Sequence, residues 1–216
     1  MTAQMEHVTK SYRRGKRVLE VVKDMSFSVE EQSFFMLSGR SGSGKSTLLA
    51  LLGGYLKPDG GSVFFHEKNL SEFDEEEIAS LHSERIGYLP QTNVLLSEFT
   101  ILENVLLPFL LFERKKKKEE ALELLKRFRI GDLADRYPYE LSGGELRRAS
   151  IARLLLREPE LYLLDEPSGG LDKEMTKTVM ECMLERREKG ATVVVATHDD
   201  LVLQYGSRVY ELDEAM

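Results

Sequence analysis

Phe34-Phe35-Met36-Leu37-Ser38-Gly39-Arg40-Ser41-Gly42-Ser43-Gly44-Lys45-Ser46-Thr47 runs from an unbroken apolar stretch through a glycine-punctuated turn into a second apolar stretch at residues 47–52. Residues 39–46 satisfy G-x-x-x-x-G-K-[ST], and a strand before it with a helix after it is the context that this motif requires. Glycines allow backbone amides to wrap phosphate oxygens without Cβ clashes, a lysine neutralises β/γ charge, and a hydroxyl after it can ligate Mg²⁺. Gly39, Arg40, Ser41, Gly42, Ser43, Gly44, Lys45 and Ser46 are therefore the expected phosphate cradle, and Thr47 adds a further phosphate contact.

Working outward, three more apolar runs have strand length: residues 86–89, 161–164 and 193–196. Each is continuous rather than alternating, as expected for a parallel sheet covered on both faces. The residues that follow the runs are polar: Ser38-Gly39-Arg40, Pro90-Gln91, Asp165-Glu166 and Thr197-His198. Ligands of open parallel sheets sit beyond the carboxyl ends of the strands, so these positions are expected to converge. Asp165 is placed to hold Mg²⁺ through water, with Ser46 and Gln91 as further metal contacts, and Glu166 to polarise an attacking water. His198 would bridge Glu166 and a terminal phosphate, and Gln91 could report that phosphate to the segment that follows it. His7, His66 and His82 lack such a setting and receive no chemical role.

Leu141-Ser142-Gly143-Gly144-Glu145 opens another apolar helical run, residues 146–156. Consecutive glycines at a helix N-terminus expose backbone N–H groups, which is a second anion site. One nucleotide needs one cradle, so this second site is expected to close over a nucleotide held by another copy or a paired subunit.

The chain has 216 residues, 42% of them hydrophobic, which is enough for a full core in one domain. Residues 92–158 carry a helical pattern, with Ala121, Leu122, Leu125 and Phe128 spaced for one apolar face, and read as a helical subdomain inserted between core segments 1–91 and 159–216. Segments 18–22, 25–29 and 63–65 read as strands of a small antiparallel sheet. The expected fold is α/β: a phosphate-loop core with a mainly parallel sheet, an N-terminal antiparallel β subdomain and an inserted α-helical one. The lone Cys182 excludes an internal disulfide and reads as a small buried hydrophobe. No apolar stretch is long enough to span a bilayer, so any membrane role is expected through a partner. A net charge of −7 argues against broad nucleic-acid binding. The basic run 114–118 is followed by Glu119, Glu120 and Glu123; it reads as a solvated helix start with charge pairing, in preference to a contact with anionic lipid headgroups.

Taken together, these motifs resemble an ABC transporter ATPase subunit over essentially the whole chain. The resemblance makes residues 141–145 the signature, Ser168-Gly169-Gly170-Leu171-Asp172 the D-loop and Thr197-His198-Asp199 the switch. It implies ATP and Mg²⁺ as ligands, ATP hydrolysis, and an ATP-dependent homodimer or paired ATPase subunit. It further implies an integral membrane permease partner and a cytoplasmic location on the inner face of the membrane. By the same resemblance Tyr12 stacks on adenine, Ser142, Gly143, Gly144 and Glu145 act on the partner's nucleotide, and Asp172 couples the two sites. Glu145 stands where most relatives have Gln, and Gly170 where asparagine is usual. Thr100-Ile101-Leu102-Glu103-Asn104-Val105-Leu106-Leu107-Pro108 with Gly169 is similar to the lipoprotein-releasing, macrolide-exporting and cell-division branch. An ATPase acting on DNA or ribosomes would require long insertions that 216 residues do not hold, and a binding-only scaffold is disfavoured by intact Lys45, Asp165, Glu166 and His198.

Overall fold

The computed structural model describes residues 1–15, 17–109 and 114–212. A long hairpin, β1 (Ala3–Arg14) and β2 (Arg17–Val29), leads into β3 (Phe34–Ser38) and, across the glycine loop, into α1 (Lys45–Leu52). Next come β4 (Gly60–Phe65), β5 (Lys68–Asn69), α2 (Glu75–Ser80) and β6 (Ile86–Leu89). Helices α3 (Ile101–Leu106), α4 (Arg114–Arg127) and α5 (Gly143–Arg157) precede β7 (Leu161–Asp165). The order finishes with α6 (Lys173–Glu188), β8 (Thr192–Thr197), α7 (Asp200–Leu203) and β9 (Arg208–Glu211).

Two sheets form. The larger, in the order β6-β7-β8-β3-β9, is parallel throughout, and the smaller, β2-β1-β4-β5, is antiparallel. The four apolar runs are the four inner and adjoining strands of the parallel sheet, as their composition predicts. Successive side chains of a strand point to opposite faces, so Phe34 and Met36 join one buried cluster while Phe35 and Leu37 join another. The first cluster takes in Leu164 and Val195 with α3, α4, α5 and α6; the second takes in Leu163 and Val194 with α1 and the antiparallel sheet. Burial on both faces leaves only the strand ends open to water. Register aligns those ends, pairing Ser38 with Thr197, Asp165 with Ala196 and Leu89 with Leu164.

Two expectations change, and one strand, β1, is added. Segments 18–22 and 25–29 are one strand, β2, carried through Asp24 in the left-handed region at φ +48. β1, which has no simple alternation, forms because it pairs on both edges, and its pattern is broken by register shifts between Met5 and Ser11. Leu122 does not lie on the buried face of α4: it is 36% exposed, whereas Ala121, Leu125 and Phe128 are fully buried. The buried positions follow i, i+4, i+7, which turns Leu122 past the edge of the stripe. Cys182 is buried as expected, and burial pushes its thiol up to about 11. Residues 110–113, part of the apolar run after Thr100, lie outside the described residues, as do the side chains of 114–116 in the basic run; Lys117 pairs with Glu120.

Phe128 is fully buried where α4 meets α5 and the sheet. Phe128→Ala is expected to cost about 3–5 kcal/mol by cavity formation, read as a lower denaturation midpoint in urea at unchanged slope.

Candidate active site

Strand β7 ends in two carboxylates with different surroundings. Asp165 is 2% exposed; its Oδ1 has no hydrogen-bond partner among the described residues, and burial raises its pKa, opposed by a hydrogen bond from Ser46. Glu166 sits in the left-handed region at φ +46, its N–H donating to Ala196 O at 2.8 Å and its carbonyl accepting from Gly169 N at 3.1 Å. A non-glycine residue held there costs about 1–3 kcal/mol and persists only where its surroundings fix it. The turn swings the Glu166 carboxylate across the ends of β8: Oε2 accepts from Thr197 Oγ1 at 3.0 Å and Oε1 lies 2.7 Å from His198 Nδ1. Lys45 Nζ stands 3.7 Å from the same Oε1.

The glycine loop turns at Gly44, which caps α1 at φ 93 with no side-chain cap, so the first-turn N–H groups of α1 face the loop. A Cβ at Gly44 would lie 3.0 Å from Val21 O, which ties the loop closely to β2. The buried Lys45 ammonium donates to the loop's own carbonyls, Gly39 O and Arg40 O. Arg40, Ser41, Gly42 and Ser46 are exposed, Ser43 is buried and Thr47 half-buried. Tyr12, 41% exposed on β1, brings its hydroxyl to 3.5 Å from Thr47 Oγ1, at the rim of the loop.

The serine-glycine turn stands apart from that loop. Ser142 caps α5, and Ser142 and Gly143 are exposed. Glu145 closes a capping box: its Oε2 accepts from Ser142 N at 2.7 Å and from Ser142 Oγ at 2.6 Å, which holds the Glu145 carboxyl below the usual range. Gly144 abuts Gly170, where an added Cβ would meet Gly170 O at 2.5 Å, and Gly170 itself has φ +76. A side chain at position 144 would collide with the backbone of 170, which accounts for Gly144; at Gly170 the positive φ favours glycine, while a Cβ there would meet the neighbouring backbone only at ordinary contact distance. Asp172 caps α6, its Oδ1 accepting from Met175 N at 2.7 Å.

Gln91 is exposed just beyond β6 and shares an opening with Asn93, Glu166, Ser168 and His198. Asn93 Nδ2 donates to Gly143 O at 3.2 Å, so the segment after β6 touches the serine-glycine turn directly. Thr197, expected at the rim as part of the switch, closes on the Glu166 carboxylate. One participant received no role from sequence. Arg147 is 2% exposed and donates to the carbonyls at the ends of both β6 and β7. With Ser150, Ile151 and Leu154 it follows i, i+3, i+4, i+7 along the buried face of α5, a periodicity that marks an arginine pointing inward. Of the unassigned histidines, His82 donates from Nε2 to Gly53 O, 2.8 Å away, and stacks on Tyr55, bracing the end of α1.

A glycine loop capping a helix after β3, with a carboxylate pair at the end of the parallel strand β7 two places along the sheet, defines a phosphate-loop nucleoside triphosphatase. Within that class the chain belongs to the ABC transporter family, whose model matches residues 22–169. It is 40% identical over 200 residues to the lipoprotein-releasing system ATP-binding protein LolD of Aquifex aeolicus, covering 92% of this chain and 89% of LolD. It is 37% identical to the ABC transporter ATP-binding protein YtrE of Bacillus subtilis, covering 98% and 95%. Against the macrolide export ATP-binding/permease protein MacB of Shewanella it is 36% identical and spans 34% of that longer protein. Among solved structures, the dimeric MJ0796 ABC transporter cassette superposes with a TM-score of 0.91 at 33% identity, covering 97% of this chain and 94% of that one. The same cassette in a post-hydrolysis state bound to ADP and Pi gives 0.90 at 32% identity, covering 99% and 95%. The protein is thus an ATP-binding, ATP-hydrolysing cassette with the α/β architecture expected.

Burial raises the folded-state pKa of Asp165, so its ionised form opposes folding at neutral pH. Asp165→Asn is expected to raise the thermal midpoint of the nucleotide-free protein at pH 7. The gain should shrink as pH falls through the raised pKa, where the parent carboxyl is already protonated; a midpoint difference independent of pH would contradict this.

Proposed function

We propose that this chain is the ATPase subunit of a transporter of the lipoprotein-releasing and macrolide-exporting kind, and that two copies close head to tail around two ATP. Lys45 neutralises the β/γ phosphates within the amides of residues 39–46, with Thr47 as a further contact, and Tyr12 stacks on adenine at the loop rim. Glu166 takes a proton from the attacking water while His198 orients it toward the terminal phosphate. The single observation carrying this reading is the meeting of Lys45, Glu166, Thr197 and His198 at one rim, while Ser142 and Gly143 of the same chain remain exposed beside Gly170. An exposed anion-binding turn with no nucleotide of its own to cover suits the nucleotide of a second copy, and Asp172, capping α6 at the end of the adjoining loop, couples the two sites.

Mg²⁺ fits the residues present. The orphaned Asp165 Oδ1 calls for a donor such as metal-bound water, Ser46 and Gln91 supply further oxygens, and the ion would offset phosphate charge when bound.

Residues 92–158 serve as the mobile unit relative to 1–91 and 159–216, with Gln91 at the junction. Beside it, Tyr88, Pro90, Val94, Leu107 and Arg153 line a groove, and Val94 and Leu96 are exposed apolar side chains. This groove suits a helix of an integral membrane permease; residue 110, at its expected edge, lies outside the described residues. Among the described residues no helix is long and apolar enough to cross a membrane, so attachment to the inner face of the membrane is through that partner.

Glu166→Gln is expected to lower turnover by about a hundredfold or more while ATP binding persists and dimers accumulate with ATP, measured by phosphate release and size-exclusion chromatography. Near-parent turnover would overturn the assignment of Glu166. Lys45→Ala should abolish nucleotide binding in a fluorescent-nucleotide titration; retained affinity would contradict the cradle.

A further inference from the structure

Among the described residues Arg147 is the largest fully buried side chain, and none of their carboxylates forms a hydrogen-bonded ion pair with it. Its guanidinium is spent instead on backbone carbonyls. Nη1 donates to Pro90 O and approaches Gln91 O at 3.5 Å, while Nη2 donates to Asp165 O and, at 2.8 Å, to Glu166 O. Nε is buried without a partner among the described residues. Desolvation pushes the group down to about 10, with Asp165 and Glu166 acting the other way. Burying a charge against four carbonyl groups is costly, and nothing in core packing demands it, since an apolar side chain would fill the same space.

What the arrangement secures is the backbone around Glu166. The peptide there must hold a left-handed residue, and among the described residues its carbonyl is held by two donors, Arg147 Nη2 and Gly169 N. Arg147 lies on α5 one turn beyond Gly144, so the same helix carries the serine-glycine turn at its N-terminus and the clamp on β7 one turn later. Asn93, which joins Gly143 to the segment after Gln91, completes a closed circuit of contacts through the ends of β6, β7 and α5.

We propose that Arg147 is a positioning residue for hydrolysis: it locks the Glu166 peptide in its left-handed turn and ties that turn to the helix whose N-terminus meets the partner's nucleotide. Closure of a dimer on the serine-glycine turn is then communicated, within one chain, to the orientation of that chain's own Glu166. The inference rests on the proposed role of Glu166, and its test separates the two. A lysine has one nitrogen and cannot serve both strand ends, whereas the planar fork of arginine can.

Arg147→Lys and the unbranched apolar Arg147→Met are compared with the parent for kcat, KM for ATP and thermal midpoint, and each is then combined with Glu166→Gln in single-turnover hydrolysis. The expected result is a fall in kcat of about tenfold or more with KM within about twofold, and no further loss when Arg147 is changed in the Glu166→Gln background, because a group acting through Glu166 has nothing left to position. Equal fold-losses in both backgrounds, or kcat within twofold of the parent in either folded variant, would overturn it. A fall in ATP affinity parallel to kcat would also overturn it, reducing Arg147 to a brace of the fold. Failure of the Glu166 assignment shows separately, as near-parent turnover in Glu166→Gln alone.

Discussion

A parallel sheet buried on both faces has only its strand ends available for polar work, and every functional side chain here depends on that constraint. β3, β7 and β8 are held in a register that sets Ser38 beside Thr197 and Asp165 beside Ala196, one residue earlier on the same strand. The glycine loop, the carboxylate pair and the histidine need no long-range recognition of one another. Backbone ladder bonds bring them together, and the apolar clusters above and below keep the ladder in place.

Two carboxylates one residue apart acquire opposite characters from this setting. Asp165 ends the strand with its side chain directed into the protein, where burial resists its charge and one oxygen is left unmatched. Glu166 begins a left-handed turn that carries its carboxylate out over β8 to Thr197, His198 and Lys45. A change of sign in one backbone angle thus separates a carboxylate aimed into the protein from one aimed over the rim. The crossing of Gly144 over Gly170 and the Glu145 capping box do comparable work at the serine-glycine turn, fixing the first turn of α5 while leaving its backbone outward.

Much of this was legible in the primary structure. The four apolar runs located the sheet because strands buried on both faces cannot hide polar residues, and the residues that follow them located the rim. The glycine loop was readable because few other sequences can wrap a phosphate. Less legible were β1 and β9. The first loses its alternation at register shifts; the second is a short edge strand whose residues are largely exposed, so neither shows a period. Leu122 misled because a helical stripe has an edge, and a residue there can fall on either side of it.

The sequence by itself determined the glycine loop, the carboxylate pair, the strands that carry them and the serine-glycine turn, because each is a local pattern set by neighbouring residues. Tertiary structure alone decided that Glu166 meets Thr197, that Gly144 must pass Gly170, and that a charged arginine on an apolar helix face would end on the carbonyls of two strands. Those outcomes follow from the crossing of segments distant along the chain, and the spacing of residues within any one segment carries no record of what it will cross.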